Sequence, residues 1–334
     1  IAININNTHH ITTIGPFIDN IMQTNKKMIH TDSYETDISH MNIRVCGVNQ
    51  DDTITWNKIS HVSRHPANGS LVKIYTASGR TITSTKSHNF LVRTKNGIEA
   101  VVAENIDVGT RIPVIRKQQI ICNNEYYENF TLSEGFGYYC AKCMYGNENY
   151  DANIYDFLGK VYMIINNTNR CFMVGFVSGV FDSVGMVSVK GDNMTIKIGH
   201  VRDIAYILTY FGVHSVVSDD ELSITGKNLA IYMREIGTQK HMYVLKSSDK
   251  YDKEDVIPCI SNMIVDIYRK LGVKVDVDNK DINREQIGNY IECFRRMENT
   301  NEIGAELELL TQIYNGHVMW DRITQIDEID GDGY

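Results

Sequence analysis

The spacing of apolar residues changes twice along this chain of 334 residues, and that change limits the fold more than any single motif. Up to about residue 115, short runs of strand-forming residues alternate with turn residues, and the same character returns near the end. From Leu132 to Leu310 the apolar spacing is that of helices, with short strands between them. The pattern predicts a β unit interrupted by an inserted α+β domain.

Two β hairpins are predicted within the first part of the chain. In each, two runs of strand formers flank a turn with glycine, at Ser78-Gly79 in the first hairpin and at Asn96-Gly97 in the second. Many short strands separated by such turns indicate an all-β unit. The flanking runs are 71–76 and 80–85, then 90–93 and 98–102.

Helical spacing recurs in the middle of the chain, and two short runs there have strand character. This mixture predicts an α+β domain. The helical segments are 201–211, 229–236, 260–271 and 287–297, and the strands are 186–189 and 194–198.

The only two tryptophans of the chain begin similar segments, 56–62 and 320–326. In both, tryptophan is followed by a polar residue, a basic residue and isoleucine. One interpretation is a β domain built from two related halves, with the middle domain inserted between them. The alternative, a coincidence between two short patterns, stays open at the level of sequence.

The acidic charge of the chain is concentrated in its middle. Residues 119–310 hold 19 basic and 27 acidic residues, whereas the rest of the chain holds 14 of each. A nucleic-acid-binding module needs Lys and Arg for phosphate contacts. We therefore expect DNA binding by this segment to be weak or absent.

No apolar run approaches the length of about 18 residues that is read as a membrane-spanning helix, so we expect no membrane association. The first residues lack the basic and apolar regions of a secretory signal. Seven cysteines with one close pair fit a reduced compartment better than a disulfide framework. We expect a cytoplasmic or other reduced intracellular location.

A threonine and a histidine three residues apart, Thr85 and His88, stand between the two predicted hairpins. This segment resembles the second conserved block of inteins, and 105–114 resembles the stretch that follows in that family. The resemblance covers the whole chain and is greatest to inteins in the largest subunits of RNA polymerases. Thr238 and His241 repeat the spacing without these flanks, and we expect that match to be chance.

The resemblance implies catalytic roles for both residues. Intein splicing begins when a side chain attacks the upstream peptide bond and turns an amide into an ester. An imidazole can give up a proton near neutral pH, and His88 would donate one to the departing amide nitrogen. Thr85 would hydrogen-bond the scissile peptide or its developing oxyanion.

The ends of the sequence depart from the family pattern. Inteins begin with Cys, Ser or Ala, whereas this sequence begins with Ile1 and resembles, at 1–22, the stretch after the first block. Inteins also end in a block with His before a terminal Asn, whereas this sequence stops at Tyr334. The interpretation is that the reacting ends were trimmed, are unordered or lie on a separate chain, and that this chain alone does not splice.

Two segments, 136–146 and 176–185, resemble the paired helices of LAGLIDADG homing endonucleases, and 201–213 resembles a helix that follows them in that family. Helices packed so closely need small residues four positions apart. The alternative is two unrelated buried helices. The small residues at this spacing are Gly137 and Ala141 in one predicted helix and Gly175 and Gly179 in the other.

Cleavage by that family requires a metal-binding acid directly before the last glycine of each helix. Tyr145 and Val184 occupy these positions here. Asp182 lies two residues earlier than Val184, about 200° around a helix, and cannot replace it. Only 39 positions separate Gly146 from Gly185, too few for the four-stranded half that normally intervenes. The sequence therefore predicts an inactive endonuclease relic.

The sequence thus predicts an all-β Hint splicing domain, horseshoe-like with a pseudo-two-fold axis, formed by 1–118 and 312–334. The predicted insert, 119–311, is a degenerate LAGLIDADG-like domain of α+β class. The expected activity is autocatalytic splicing, by a monomer without cofactor or metal. Its partners would be the flanking extein segments of a host protein or a complementary split-intein fragment.

Three further interpretations concern function and the close cysteine pair. The chain could be a LAGLIDADG-derived DNA- or RNA-binding module without splicing, or a Hint relative that cleaves itself without ligation. Cys140 and Cys143 form a lone pair, too few for a four-ligand zinc site, and are expected to pack within a helix.

Overall fold

The computed structural model of the chain describes residues 1–29, 33–66, 69–118, 122–147, 149, 152–241, 245, 253–275, 281–297 and 300–331. The strands are β1 (Ala2–Ile5), β2 (Thr8–Ile11), β3 (Met28–Ile29), β4 (Tyr34–Asp37), β5 (Ile43–Val48), β6 (Ile54–Lys58), β7 (His61–Arg64), β8 (Leu71–Thr76), β9 (Thr81–Thr85), β10 (Asn89–Thr94), β11 (Gly97–Val102), β12 (Arg111–Ile115), β13 (Tyr126–Tyr127), β14 (Phe130–Thr131), β15 (Met186–Val187), β16 (Asn193–Lys197), β17 (Val216–Ser218), β18 (Glu221–Thr225), β19 (Val256–Ile257), β20 (Ile282–Asn283) and β21 (Val318–Ile329). The α-helices are α1 (Ile14–Thr24), α2 (Glu134–Tyr145), α3 (Tyr155–Ile164), α4 (Arg170–Val184), α5 (Val201–Leu208), α6 (Gly226–Glu235), α7 (Ile260–Lys270), α8 (Arg284–Arg295) and α9 (Gly304–Asn315).

Contacts divide the chain into two compact units. Unit 1 consists of 1–46, 56–66 and 117–250, and unit 2 consists of 47–55, 67–116 and 251–334. The domain boundaries predicted above differ from the bounds of these two units. They stay a prediction. Residue 119, at one predicted boundary, and residues 332–334 lie outside the described residues.

The first β part of unit 1 contains a helix that the all-β expectation for this region did not include. In α1, Pro16 stands in the first turn, where its missing N–H costs no intrahelical hydrogen bond. One face of the helix is apolar and packs into a small core with Ile38, Ile43 and Val62. The apolar helix residues are Phe17, Ile18, Ile21 and Met22.

The second part of unit 1 is built around two helices whose backbones touch. Ser133 caps α2 by accepting a hydrogen bond from the Phe136 amide, and Asn169 caps α4 in the same way. A Cβ atom added at Gly179 would lie 2.8 Å from Cβ of Ala141 and 2.8 Å from the carbonyl oxygen of Tyr138. The predicted close packing of small residues is therefore confirmed.

An antiparallel sheet of strand order β15-β16-β18-β17 follows α4, and α5 and α6 cover its apolar side. The predicted strands at 186–189 and 194–198 are confirmed, as are the helices at 201–211 and 229–236, each within a few residues. Between α2 and α4, by contrast, the described residues contain one α-helix, α3, flanked by short 3-10 turns, and no strand.

Unit 2 is built around a sheet of strand order β12-β21-β8-β9. The long strand β21 pairs first with β12, through 318–322, and then with β8, after an irregularity between Ile323 and Gln325. Both predicted hairpins are confirmed, as β8–β9 and β10–β11. The two hairpins share one apolar core, which includes Ile74 from β8 and Phe90 from β10.

The helices α7, α8 and α9 complete unit 2 and enclose a second apolar core. Trp320 on β21 lies fully buried in that core. Arg284 at the start of α8 is also buried, and it donates to the backbone carbonyls of Ile313, Tyr314 and Val318. These bonds hold α8 to the segment that leads into β21.

Candidate functional site

The turn between β9 and β10 carries the predicted catalytic residues Thr85 and His88. The His88 amide donates to the Thr85 carbonyl at 3.1 Å, which closes the turn. Two amides from the segment after β11 also bind the turn. Ala103 N donates to His88 O at 2.7 Å, and Glu104 N donates to Lys86 O at 3.0 Å. The backbone of this turn is therefore fixed at three points.

His88 is exposed in the turn directly before β10, where a peptide could reach it. Its ring packs edge-on against the ring of Phe90, with centroids 5.1 Å apart and an angle of 79° between the planes. Phe90 is itself buried in the apolar core of unit 2. The imidazole thus has a fixed apolar support on one side and solvent on the other.

The Thr85 side chain is half-buried, and its hydroxyl lies 3.2 Å from the Ser87 hydroxyl. Thr85 is paired with Leu71 on β8, and Leu71 is paired with Ile329 near the end of β21. Two strand spacings, or ~10 Å, therefore separate Thr85 from Ile329 across the sheet. Within unit 2, the last part of β21 therefore lies on the other side of β8 from the turn that carries the predicted site.

A buried carboxylate that sequence reasoning missed, Asp52, anchors this part of unit 2. It is fully buried, adopts a left-handed backbone conformation with φ 62°, and forms an ion pair with Arg93. Trp320 Nε1 donates to its other oxygen at 3.0 Å, and the Arg93 guanidinium lies 5.4 Å above the Trp320 ring. Burial raises the pKa of Asp52, although Arg93 opposes the shift.

A second buried carboxylate, Asp321, fixes the turn of the β8–β9 hairpin. The Ser78 hydroxyl and amide both donate to it, the amide at 3.2 Å. The Arg80 guanidinium lies 3.8 Å from the same carboxylate. The Trp-Asp-Arg-Ile pattern at 320–323 was visible in the sequence, but Ser78, which donates to Asp321, lies 243 residues away.

Tyr145 and Val184, the residues predicted above to stand in place of metal-binding acids, pack against other side chains. The Tyr145 hydroxyl hydrogen-bonds the Tyr162 hydroxyl, and the Tyr162 ring stacks on His200 with centroids 4.1 Å apart. Burial raises the pKa of Tyr145, so its hydroxyl stays protonated at neutral pH. Val184 packs against the apolar core of unit 1.

The nearest carboxylate on α4, Asp182, is buried and has four donors of its own. It accepts hydrogen bonds from the Thr238 hydroxyl, from Tyr138 Oη at 3.1 Å, and from the amides of Gln239 at 2.9 Å and Lys240 at 3.1 Å. Asp182 therefore caps the turn after α6. The second threonine–histidine pair of the sequence begins in this turn, since the amide of His241 donates to the Thr238 hydroxyl.

The close cysteine pair lies inside α2. Cys140 and Cys143 are both buried, and burial raises the pKa of Cys140 to about 12, which keeps this thiol protonated. All seven cysteines are free thiols. Among the described residues, no three histidine, cysteine or acidic side chains come together as a metal site would require.

Among the helices of the described residues, none has both the length and the apolar content that crossing a bilayer would demand.

Comparison with known proteins gives one match that spans nearly the whole chain, a family model described as the intein splicing domain, at residues 4–334. The chain is also similar to DNA-directed RNA polymerase subunit Rpo1C of Methanocaldococcus jannaschii, at 23% identity over 406 residues. That similarity covers 87% of this chain and 47% of the relative, so the chain spans about half the length of this curated relative.

Among solved structures, the chain is similar to the transcription factor IIB Mvu mini-intein, with 19% identity and a TM-score of 0.32. That likeness covers 35% of this chain and 65% of the mini-intein. The Pab PolII intein gives 14% identity and a TM-score of 0.31, over 39% of this chain and 68% of that one. Because the family model alone accounts for residues 4–334, this chain belongs to the intein splicing domain family.

Proposed function

We propose that this chain splices itself out of a host protein, and that Thr85 and His88 act at the upstream junction. The observation that carries the proposal is the turn between β9 and β10, within a chain of the intein family. It presents an exposed imidazole on a backbone fixed by hydrogen bonds from Ala103 and Glu104. Precise placement of a proton donor is what acid catalysis on a peptide bond requires.

A hydroxyl or thiol side chain at the upstream junction loses its proton and attacks the carbonyl carbon of the scissile peptide. The carbon–nitrogen bond breaks as the amide nitrogen takes a proton from His88, and the product is an ester or thioester. Thr85, half-buried beside His88, donates its hydroxyl hydrogen to the carbonyl oxygen on which negative charge develops. Ser87 lies within hydrogen-bond distance of the Thr85 hydroxyl and can accept or donate, so it orients that group.

The partners in this proposal are the flanking extein segments, or a complementary fragment if the intein is split. The similarity to an RNA polymerase subunit makes such a subunit the proposed host. We propose that the chain acts as a monomer, in whichever reduced intracellular compartment holds the host. The sequence similarity between 56–62 and 320–326 belongs to the same proposal, because a Hint fold is built from two related halves.

The test places the chain, with the residues that adjoin it in its own gene, between two reporter proteins. The ligated reporter product is then measured on a gel. We expect His88→Ala to block the upstream step, Thr85→Ala to slow it, and Val184→Asp to leave ligation unchanged. Normal ligation by the His88→Ala variant would refute the site.

We also propose that the segment 119–311 is a LAGLIDADG endonuclease that has lost cleavage. Its support is the glycine-lined contact between α2 and α4, with a four-stranded sheet after α4 and no strand in the described residues between the two helices. Tyr145 and Val184 stand where metal-binding acids would be needed. On that sheet, Lys197 is paired with Glu221 at 3.1 Å, which leaves little positive charge for phosphate.

The test for this second proposal uses a DNA duplex that carries the uninterrupted host sequence. With magnesium present, we expect no cut product from the full-length chain, and a gel shift at moderate salt should show weak binding or none. Specific cutting would contradict the loss of activity. Tight, specific binding without ligation in the reporter assay would instead favour a DNA-binding module.

A further inference from the structure

An ion pair joins the turn of the proposed site to the strand β21. Lys86 lies in this turn, between Thr85 and His88, and its Nζ is 2.8 Å from Oε1 of Glu328. The two residues are 242 positions apart in sequence. The Lys86 side chain is 37% exposed and that of Glu328 is 66% exposed, so the pair lies at the surface.

Sheet register shows which face of the sheet the pair occupies. Glu328 is paired with Val72 on β8, and Val72 is paired with Ser84 on β9. Directly paired residues of antiparallel strands point to the same face, and Val72 belongs to the apolar core that also contains Phe90. Glu328 therefore stands on the core-facing side of the sheet, at the end where the turn begins.

Sheet pairing sets the start of the turn, Thr85, two strand spacings from Ile329 on β21, and the remaining contacts fix the backbone of the turn. The amides of Ala103 and Glu104 hold it to the segment after β11, and the Phe90 ring supports the imidazole of His88. Among the described contacts of the turn, the ion pair with Glu328 is the one made by a charged side chain across the sheet.

We propose that Lys86 and Glu328 are positioning residues of the splicing site. The ion pair holds the turn with Thr85 and His88 against the last part of β21, and so fixes the imidazole relative to this strand. This inference rests on the proposed splicing function, because it assigns the pair a role in the upstream step.

The expected effect is small, because exposed ion pairs contribute little. Such pairs are typically worth a few tenths to one kcal/mol, which corresponds to a change in rate of about 1.5- to fivefold. A charge pair of this kind is screened by salt. The effect on the upstream step should therefore shrink at high ionic strength.

The experiment uses the reporter precursor and traps the ester with hydroxylamine, which releases the upstream reporter at the rate of the first step. Lys86→Met and Glu328→Gln should each slow release by about 1.5- to fivefold. Lys86→Arg keeps the charge and should release at the parent rate. The swapped pair, Lys86→Glu with Glu328→Lys, should recover at least half of the loss.

An ion pair elsewhere in unit 2 provides the matched control. Arg269 and Asp266 form an exposed pair on α7, and Arg269→Met should leave the rate of release unchanged. Melting curves show whether each variant folds as the parent does. The inference is supported if the two charge deletions slow release while the control variant does not.

Two other results have distinct meanings. If His88→Ala abolishes release but Lys86→Met and Glu328→Gln both release at the parent rate, the positioning role is refuted and the splicing site stands. If His88→Ala itself releases at the parent rate, the proposed function fails, and the inference fails with it.

Discussion

Replacement of Gly175 by alanine should force α2 and α4 apart. A Cβ atom at this position would lie 2.7 Å from the carbonyl carbon of Glu134 and 2.9 Å from the amide nitrogen of Tyr138. Ordinary contacts between such atoms are about 3.5–4.0 Å. Because both neighbours are backbone atoms, no side-chain rotation relieves the overlap, and the helices must separate by roughly 1 Å.

The cost of this separation follows from the loss of close contacts along the helix pair. A gap of that size removes about a quarter to a half of the attractive dispersion energy of each contact. Overpacking of a tight core costs about 1–3 kcal/mol of unfolding free energy. The upper end applies here, since the whole interface moves. Alanine recovers about 1 kcal/mol of helix propensity relative to glycine. The net loss of unfolding free energy for Gly175→Ala should be about 2 kcal/mol.

Hydrogen exchange measured by mass spectrometry is the suitable assay, because it reports on α2 and α4 separately from unit 2. The slowest amides of both helices should exchange about 30-fold faster in Gly175→Ala, as a loss of 2 kcal/mol implies. Gly159 on α3 provides the matched control. A Cβ atom there meets nothing within 4 Å, so Gly159→Ala should slow exchange or leave it unchanged. Equal protection in Gly175→Ala and the parent would refute the close helix contact.

Three further predictions concern buried polar groups and the support of the imidazole. Burial lowers the pKa of His9 in the folded state. The contribution of His9 to the unfolding free energy should therefore be constant above pH ~6.5. Below that value the unfolding free energy should fall as the pH drops, by up to ~1.4 kcal/mol per pH unit. His9→Phe should flatten that fall in urea titrations, and an unchanged slope would contradict the assignment. Asp52→Asn leaves the buried Arg93 without its counter-ion and should cost about 3–5 kcal/mol of unfolding free energy, whereas a loss below 1 kcal/mol would show that the pair contributes little. Phe90→Leu keeps an apolar side chain but removes the ring edge beside His88, so upstream cleavage should slow by about two- to tenfold, and an unchanged rate would show that the ring does not orient the imidazole.

Local signals were sufficient to predict the hairpins, whereas the close helix pair was predicted from the resemblance to LAGLIDADG helices. A turn with glycine between two apolar runs leaves few alternatives to a hairpin, and both hairpins of unit 2 occur as expected. The spacing of Gly175 and Gly179 likewise reports a local requirement, because only small residues allow another helix backbone so near. In both cases the residues that carry the signal lie near one another in the sequence.

The helix α1 was missed because its signal is weak at short range. It has 11 residues, with Gly15 and Pro16 in its first turn, and strands on either side. Glycine and proline lower helix propensity in general, although the first turn tolerates proline. Packing of its apolar face against Ile38 and Ile43 stabilises the helix, and that contact depends on tertiary structure.

The buried carboxylate Asp52 and the ion pair of the turn could not be predicted, because their partners are remote in sequence. Asp52 meets Arg93 and Trp320 from positions 41 and 268 residues away. Lys86 reaches Glu328 across 242 residues. A single sequence carries no information that pairs such residues, whereas the Thr85-to-His88 spacing is local and could be recognised.

The measurement that tests the account most directly is the trapping of the upstream ester with hydroxylamine in the reporter precursor. The parent chain should release the upstream reporter as its hydroxamate. His88→Ala should release it at least about 100-fold more slowly, because proton donation by a positioned side chain typically contributes 100-fold or more. Release by His88→Ala at the parent rate, from a variant that folds as the parent does, would contradict the assignment of this imidazole to the first step of splicing.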